Sequence, residues 1–322
     1  MRKIFPDYLL ILLKGIAMGA ADVVPGVSGG TIAFISGIYQ ELIDSINGIN
    51  ISLIKTLKKE GIKATWKQAN GSFLLALLTG IGISILTFSK IITHLLETQP
   101  IMVWSFFFGL IIASVLLIWK QITSLKLVSI LALIIGVILA YYITIIKPVS
   151  SPESYSYLFL SGFIAIIAMI LPGISGAFIL LLMGSYESVI GTINQFREAL
   201  TQMNTELIST SLMKLGAFAI GAIIGLKTFS KILHWMFEHH KNTTLAMLIG
   251  FMIGSLNKVW PWKQVLETRI NSHGKTVPFL EKSILPQDFN GDAQIILAVL
   301  LAILGFLVIY GMEKVADRLE KK

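Results

Sequence analysis

Two short stretches of this chain have the composition of an anion site built into an apolar setting. The first, Ala21 to Tyr39, reads ADVVPGVSGGTIAFISGIY, with Pro25-Gly26-Val27-Ser28-Gly29-Gly30 at its centre. The second, Ile170 to Phe178, reads ILPGISGAF. Proline stops an incoming helix, glycine turns the chain without a Cβ clash, and serine caps the helix that leaves. The first turn of that leaving helix carries free N–H groups and the positive end of its dipole, which together attract phosphate or carboxylate. An isolated Pro-Gly-x-Ser-Gly would equally serve close helix packing. Two of them at matching positions favour an anion or headgroup site, and the expected chemistry is recognition, not bond breaking.

Charged residues inside apolar segments are costly and are functional candidates by default. Asp22 stands three residues before Pro25, where the second stretch has Met169. It could carry a coupling ion, or pair with Lys14 or a backbone amide. Lys90 and Lys231 occupy equivalent places near the ends of two apolar runs. They could meet phosphate in turn at opposite leaflets, or extend to the interface as long cationic side chains do. Glu41 and Glu187 follow the two motifs and are expected in solvent. Glu97 and Glu238 match each other at span ends, where capping is expected. The five histidines show no metal-ligand spacing, and no cysteine is present, so no catalytic or metal site is assigned.

The elements that must position these residues are membrane helices. Of 322 residues, 55% are hydrophobic and 14% charged, with a mean hydropathy of +0.79. A typical soluble domain is about 25% charged, and here apolar runs of about 20 residues recur throughout. The net charge of +8 reads as cytoplasmic loops facing anionic lipid; no aromatic–basic interleaving suggests nucleic acid. Ordinary spans are expected at 72–96, 100–119, 124–146, 211–237, 242–260 and 293–313, and Pro-Gly-broken segments at 8–46 and 155–193. The lysine-rich stretch 53–68 is expected as a topology-setting loop on the cytoplasmic interface.

The chain also repeats itself. At an offset of 147, Gly15, Pro25-Gly26, Ser28-Gly29, Gly37, Tyr39 and Asn47 fall on Gly162, Pro172-Gly173, Ser175-Gly176, Gly184, Tyr186 and Asn194. At 141, Thr87-Phe88-Ser89-Lys90-Ile91 falls on Thr228-Phe229-Ser230-Lys231-Ile232, and Gly80 and Gly109 on Gly221 and Gly250. At 169, Gly136 falls on Gly305. Residues 1–148 and 149–322 are therefore read as two copies, each a broken segment plus three spans. If both broken segments are re-entrant, 14 loop Lys and Arg lie inside and 8 outside; if both cross, the tally reverses. The positive-inside rule selects the first case. The expected fold is an all-α polytopic membrane protein of two inverted repeats, each a re-entrant hairpin with three transmembrane helices, both termini cytoplasmic.

The block GAADVVPGVSGGT, its echo LPGISGAF and the repeated FSK resemble the bacterial PopT-type polyprenyl-phosphate transporters over essentially the whole chain. The resemblance implies a protein of the bacterial cytoplasmic membrane that returns undecaprenyl phosphate from the outer to the inner leaflet, recycling the lipid carrier of cell-envelope precursors. It implies phosphate binding by Gly26, Ser28, Gly29, Gly30 and Thr31, by Gly173, Ser175 and Gly176, and by Lys90 and Lys231. Asp22 would be the coupling group to a proton or sodium gradient, with no other cofactor. The partners are the polyprenyl phosphate and the bilayer, not nucleic acid; oligomeric state is not encoded legibly. A secondary carrier of a small anion is the main rival. A lipid-phosphate phosphatase is the weaker one, because no histidine lies close in sequence to either serine motif.

Overall fold

The computed structural model describes residues 5–24, 27–149, 152, 154–270 and 276–320. Pro25 and Gly26, both in the first expected turn, lie outside the described residues. The first half holds α1 (Phe5–Asp22), α2 (Gly29–Ile35), α3 (Tyr39–Gly48) and α4 (Ser52–Gln68), then α5 (Gly71–Thr98), α6 (Pro100–Trp119) and α7 (Leu127–Ile145). The second holds α8 (Tyr155–Ile170), α9 (Gly176–Leu182), α10 (Tyr186–Gln202), α11 (Thr205–Ser255) and α12 (Ile295–Glu320).

Local chemistry sets several boundaries. Pro100 opens α6, where a missing N–H costs nothing. Ser154 caps α8 through the Tyr157 N–H, and Asn204 caps α11 through the Leu207 N–H. Gly37 and Gly184, at equivalent places after the short returning helices, both hold positive φ (73° and 66°) and so permit the turns into α3 and α10. The α9 and α10 axes are bent by 105°.

The fold is mostly helical, as expected of a polytopic membrane protein. Among the described residues, four helices, within α5, α6, α7 and α11, are long and apolar enough to cross a bilayer, and the bent α9–α10 pair is a fifth candidate. Large apolar side chains such as Leu86, Ile138, Ile223 and Ile296 stay exposed, as on a surface that faces lipid. The ranges expected as spans 211–237 and 242–260 fall in α11 as far as its end at Ser255, and the helix is interrupted at His240 (φ −137°, ψ 42°) into two arms. The stretch expected as a lysine-rich loop is α4, a helix with no buried residue and a break at Gly61. One small hairpin not expected from the sequence accompanies the helices. Between α11 and α12, β1 (Lys263–Ile270) pairs antiparallel with β2 (Thr276–Ser283). That segment is too polar for hydrocarbon, and outside it water can satisfy the open sheet edges.

Glycines bring the helices together. A Cβ on Gly80 in α5 would strike the Leu12 carbonyl of α1, and one on Gly221 in α11 would strike the Phe159 carbonyl of α8. These contacts are related by the same offsets, 141 and 147, found in the sequence. Between the halves, Gly109 of α6 meets Ala302 of α12, while Gly250 of α11 meets Leu133 of α7. Small residues let backbones approach closely enough for dispersion to hold helices where no hydrophobic force acts between them. The contacts also give direction. Gly15 faces Leu77 and Gly80, and Gly19 faces Ile81 and Ser84, so α1 and α5 run the same way. Gly136 faces Met247 and Gly250, and Gly254 faces Val137 and Ala140, so α7 and the second arm of α11 are also parallel.

Candidate membrane-embedded site

The two broken turns meet. Ser28 sits in extended backbone (φ −119°, ψ 135°) as the N-cap of α2, and its hydroxyl accepts from the Gly30 N–H at 3.1 Å. The same hydroxyl donates to the Met169 carbonyl of the second copy at 2.9 Å. Thr31, fully buried one turn further on, accepts from the Gly173 N–H at 2.8 Å. Tyr39 Oη donates to the Ile170 carbonyl at 3.1 Å, and a Cβ on Gly30 would stand 2.6 Å from that carbonyl. Residues some 140 positions apart thus form one polar knot inside an apolar core of Val24, Val27, Ile170, Leu171 and Ile174.

Asp22 holds a backbone amide. Its Oδ1 accepts from the Gly29 N–H at 2.6 Å, and Gly29 has no side chain to hold the carboxylate away. The second motif has no such anchor, since Met169 stands in the equivalent place and is 45% exposed. Lys14 is occupied elsewhere: its Nζ donates to the Ser36 carbonyl at 2.6 Å. In the second copy that task belongs to Tyr157, whose hydroxyl donates to the equivalent Met183 carbonyl at 2.8 Å.

The expected cradle of free amides is therefore largely filled from within. Gly29 gives its N–H to Asp22, Gly30 to Ser28, and Gly173 to Thr31. Ser175 is the exception: it is the buried N-cap of α9, and its side chain makes no cap bond there. Gly176 follows it, packed against the Ala165 carbonyl. Lys90 and Lys231 are exposed, and neither bonds to the described turn residues. The structure thus brings Ser28, Gly29, Gly30, Thr31 and Gly173 together and leaves the two lysines outside the knot.

A second polar contact was not anticipated. α3 docks on the first arm of α11: Asn47 Nδ2 donates to the Ser230 carbonyl at 3.0 Å, and Ser230 Oγ donates to Asn47 Oδ1 at 2.9 Å. Beside them His234 Nδ1 lies 2.6 Å from Asp44, with Glu238 3.3 Å from its Nε2, and Lys227 donates to the Ile46 carbonyl. The sequence held a signal for this, because Asn47 and Ser230 are both positions that recur in the duplication. Glu187, expected in solvent, pairs with Arg269 of β1, whose guanidinium lies over the Tyr186 ring.

Comparison with known proteins gives a consistent picture. The family described as undecaprenyl phosphate translocase-like matches residues 18–277. A polyprenyl-phosphate transporter of Vibrio cholerae serotype O1 is 46% identical over 316 residues, covering 97% of this chain and 98% of that protein. A polyprenyl-phosphate transporter of Staphylococcus aureus is 34% identical over 263 residues, covering 78% of this chain and 85% of that protein. No solved structure gives a significant match.

Proposed function

This chain belongs to the undecaprenyl phosphate translocase-like family, and from that premise we propose that it carries undecaprenyl phosphate from the outer to the inner leaflet of a bacterial cytoplasmic membrane, returning the lipid for another round of envelope synthesis. The observation that carries this reading is the meeting of the two broken turns through Ser28–Met169 and Thr31–Gly173. A phosphate on an apolar tail needs polar groups at membrane depth for its head, since crossing unpaired would cost far more than binding returns.

Helix direction supports inverted repeats. Because α1 and α5 are parallel, the chain between them returns to the face from which α1 starts. Three crossings by α5, α6 and α7 then start α8 on the opposite face. Had each broken segment crossed once, α1 and α5 would be antiparallel, as would α7 and the second arm of α11. The basic α4 then lies inside, in accord with the positive-inside rule, and the α3–α11 dock closes the cytoplasmic side. In this state the way in is from the outer leaflet.

Within this scheme the turn residues receive phosphate as the knot parts, with Ser175 and Gly176 first because no internal side chain caps that helix. Lys90 and Lys231 serve as exposed cations near opposite leaflets. Asp22 couples the cycle to a proton or sodium gradient, since only its ionised form holds the Gly29 amide strongly.

The test is transbilayer movement in vesicles holding the purified protein. A polyprenyl phosphate placed in one leaflet should become protected from an added phosphatase faster than in protein-free vesicles. Equal rates would overturn the proposal, and uptake of soluble phosphate in its place would assign the chain to small-anion transport.

A further inference from the structure

One charged cluster lies outside the knot and is not used by it. Lys258, just past α11, and Lys263, the first residue of β1, share a single carboxylate oxygen of Glu281 on β2, at 3.4 and 3.7 Å. The Lys263 side chain is only 7% exposed, and its ammonium has no hydrogen-bond partner among the described residues. Aromatic rings wall the cluster: Trp104 of α6 lies 3.7 Å beneath Lys263 Nζ, and Phe178 of α9 lies 4.6 Å from Lys258 Nζ. Phe108 and Trp260 extend that wall edge to face.

The position is as telling as the composition. Phe178 is two residues past Gly176, and a Cβ on Gly173 would meet the hydroxyl of Ser255, three residues before Lys258. Lys258 therefore lies on the segment that packs against the second broken turn and reaches α9 through Phe178, beside the uncapped Ser175. A strut between β-hairpin and bundle would need one lysine and one glutamate. Here two largely buried ammonium groups share one carboxylate oxygen, and Lys263 has only that ion pair and the Trp104 ring to offset its burial, a costly arrangement that an incoming anion would relieve.

We propose that Lys258 and Lys263 receive the phosphate-monoester headgroup of a lipid beside the second broken turn, with Glu281 holding both ammonium groups in place until the phosphate displaces it. Glu281, 19% exposed, has a path to swing toward solvent. The phosphate then brings its oxygens to the unfilled donors of Lys263, and the rings of Trp104, Phe108 and Trp260 take the first isoprene units. Proton balance favours the exchange. Burial lowers the Lys263 pKa to about 7 while Glu281 partly offsets this, and an arriving dianion keeps that ammonium charged.

This inference rests on the lipid-phosphate reading above and is tested separately from it. The full chain in detergent is titrated with farnesyl phosphate, farnesol and inorganic phosphate, following tryptophan fluorescence, for wild type, Lys258→Met, Lys263→Met and Glu281→Gln. Wild type should bind farnesyl phosphate and neither comparator comparably. Each lysine variant should bind it at least about tenfold more weakly, the loss of one charge-assisted hydrogen bond, and Glu281→Gln should bind it more tightly. Lys263→Arg, which keeps charge and donors, should restore most of the binding if Lys263→Met is poorly folded. Wild-type affinity in folded lysine variants would overturn the site while leaving the transport reading intact. Free phosphate matching farnesyl phosphate would overturn the lipid assignment. Absence of farnesyl phosphate binding by wild type would overturn this site, and the vesicle assay above then decides the transport reading on its own.

Discussion

Replacing Thr31 by valine tests the knot at its most informative bond. The side chain keeps its shape and loses only the oxygen that accepts the Gly173 N–H at 2.8 Å. Gly173 holds φ +89° in the turn, where its N–H has no intrahelical acceptor to fall back on. Hydrogen bonds between membrane helices average only about 0.6 kcal/mol, because the separated helices find other partners. A buried donor left with none costs about 1–3 kcal/mol. The absence of a local alternative places this bond toward the upper range, about 1–2 kcal/mol, or a 5- to 30-fold shift from joined to parted turns. Two measurements follow: thermal stability in detergent, and transport in vesicles. The T31V protein should melt earlier and show transport changed by about that factor, whereas Thr31→Ser should behave as wild type. A T31V protein with unchanged melting and unchanged transport would refute the claim that the turns are held together by this bond.

Other consequences can be checked independently. Gly221→Leu should abolish accumulation of folded protein, because its side chain would enter the Phe159 carbonyl, while Gly216→Leu, with open space around it, should be tolerated; expression with a size-exclusion profile decides. The chain has no cysteine, so Asn47→Cys with Ser230→Cys gives a clean pair: a short bifunctional thiol reagent should join them and stop transport, and free transport after complete joining would count against the α3–α11 dock as a moving gate. Lys263 makes stability depend on pH. Its pKa in the fold, about 7, lies below its ordinary value of 10.5, because burial disfavours the charged form. The unfolded chain therefore binds more protons between those values, so stability should rise from pH 7 toward 10. The groups facing it are Glu281 on β2, Lys258 beyond α11 and the Trp104 ring on α6. Affinity for farnesyl phosphate should fall over the same interval, and a Lys263→Met protein with the same pH profile would exclude this lysine as the cause.

How much of this was legible in the sequence depends on the range over which each feature is encoded. The break at Pro172-Gly173, the interruption of α11 at His240 and the glycine pairs are local or periodic, so composition and offset reveal them. The meeting of Ser28 with Met169 is different, because a carbonyl acceptor leaves no trace in residue identity. Sequence reasoning could place Ser28 at a helix start and still assign its donors to an incoming anion, when the nearest partner was the other copy. Equivalence in a duplication guarantees like environments only where both copies pack alike. They do not pack alike around the turns. One copy anchors its returning helix with Asp22 and docks α3 on α11. The other lacks the carboxylate and has β1 laid against α10 through Arg269 and Glu187. Lys258, Lys263 and Glu281 escaped notice because a polar loop of mixed charge looks alike whether it is solvated or folded onto a bundle. Only the β register, which brings Lys263 opposite Ser283 and so near Glu281, converts three scattered charges into one site. In the scheme proposed above, that divergence gives the two turns different surroundings for a headgroup, the Lys258–Lys263 pair beside the second and the Asp22 anchor at the first.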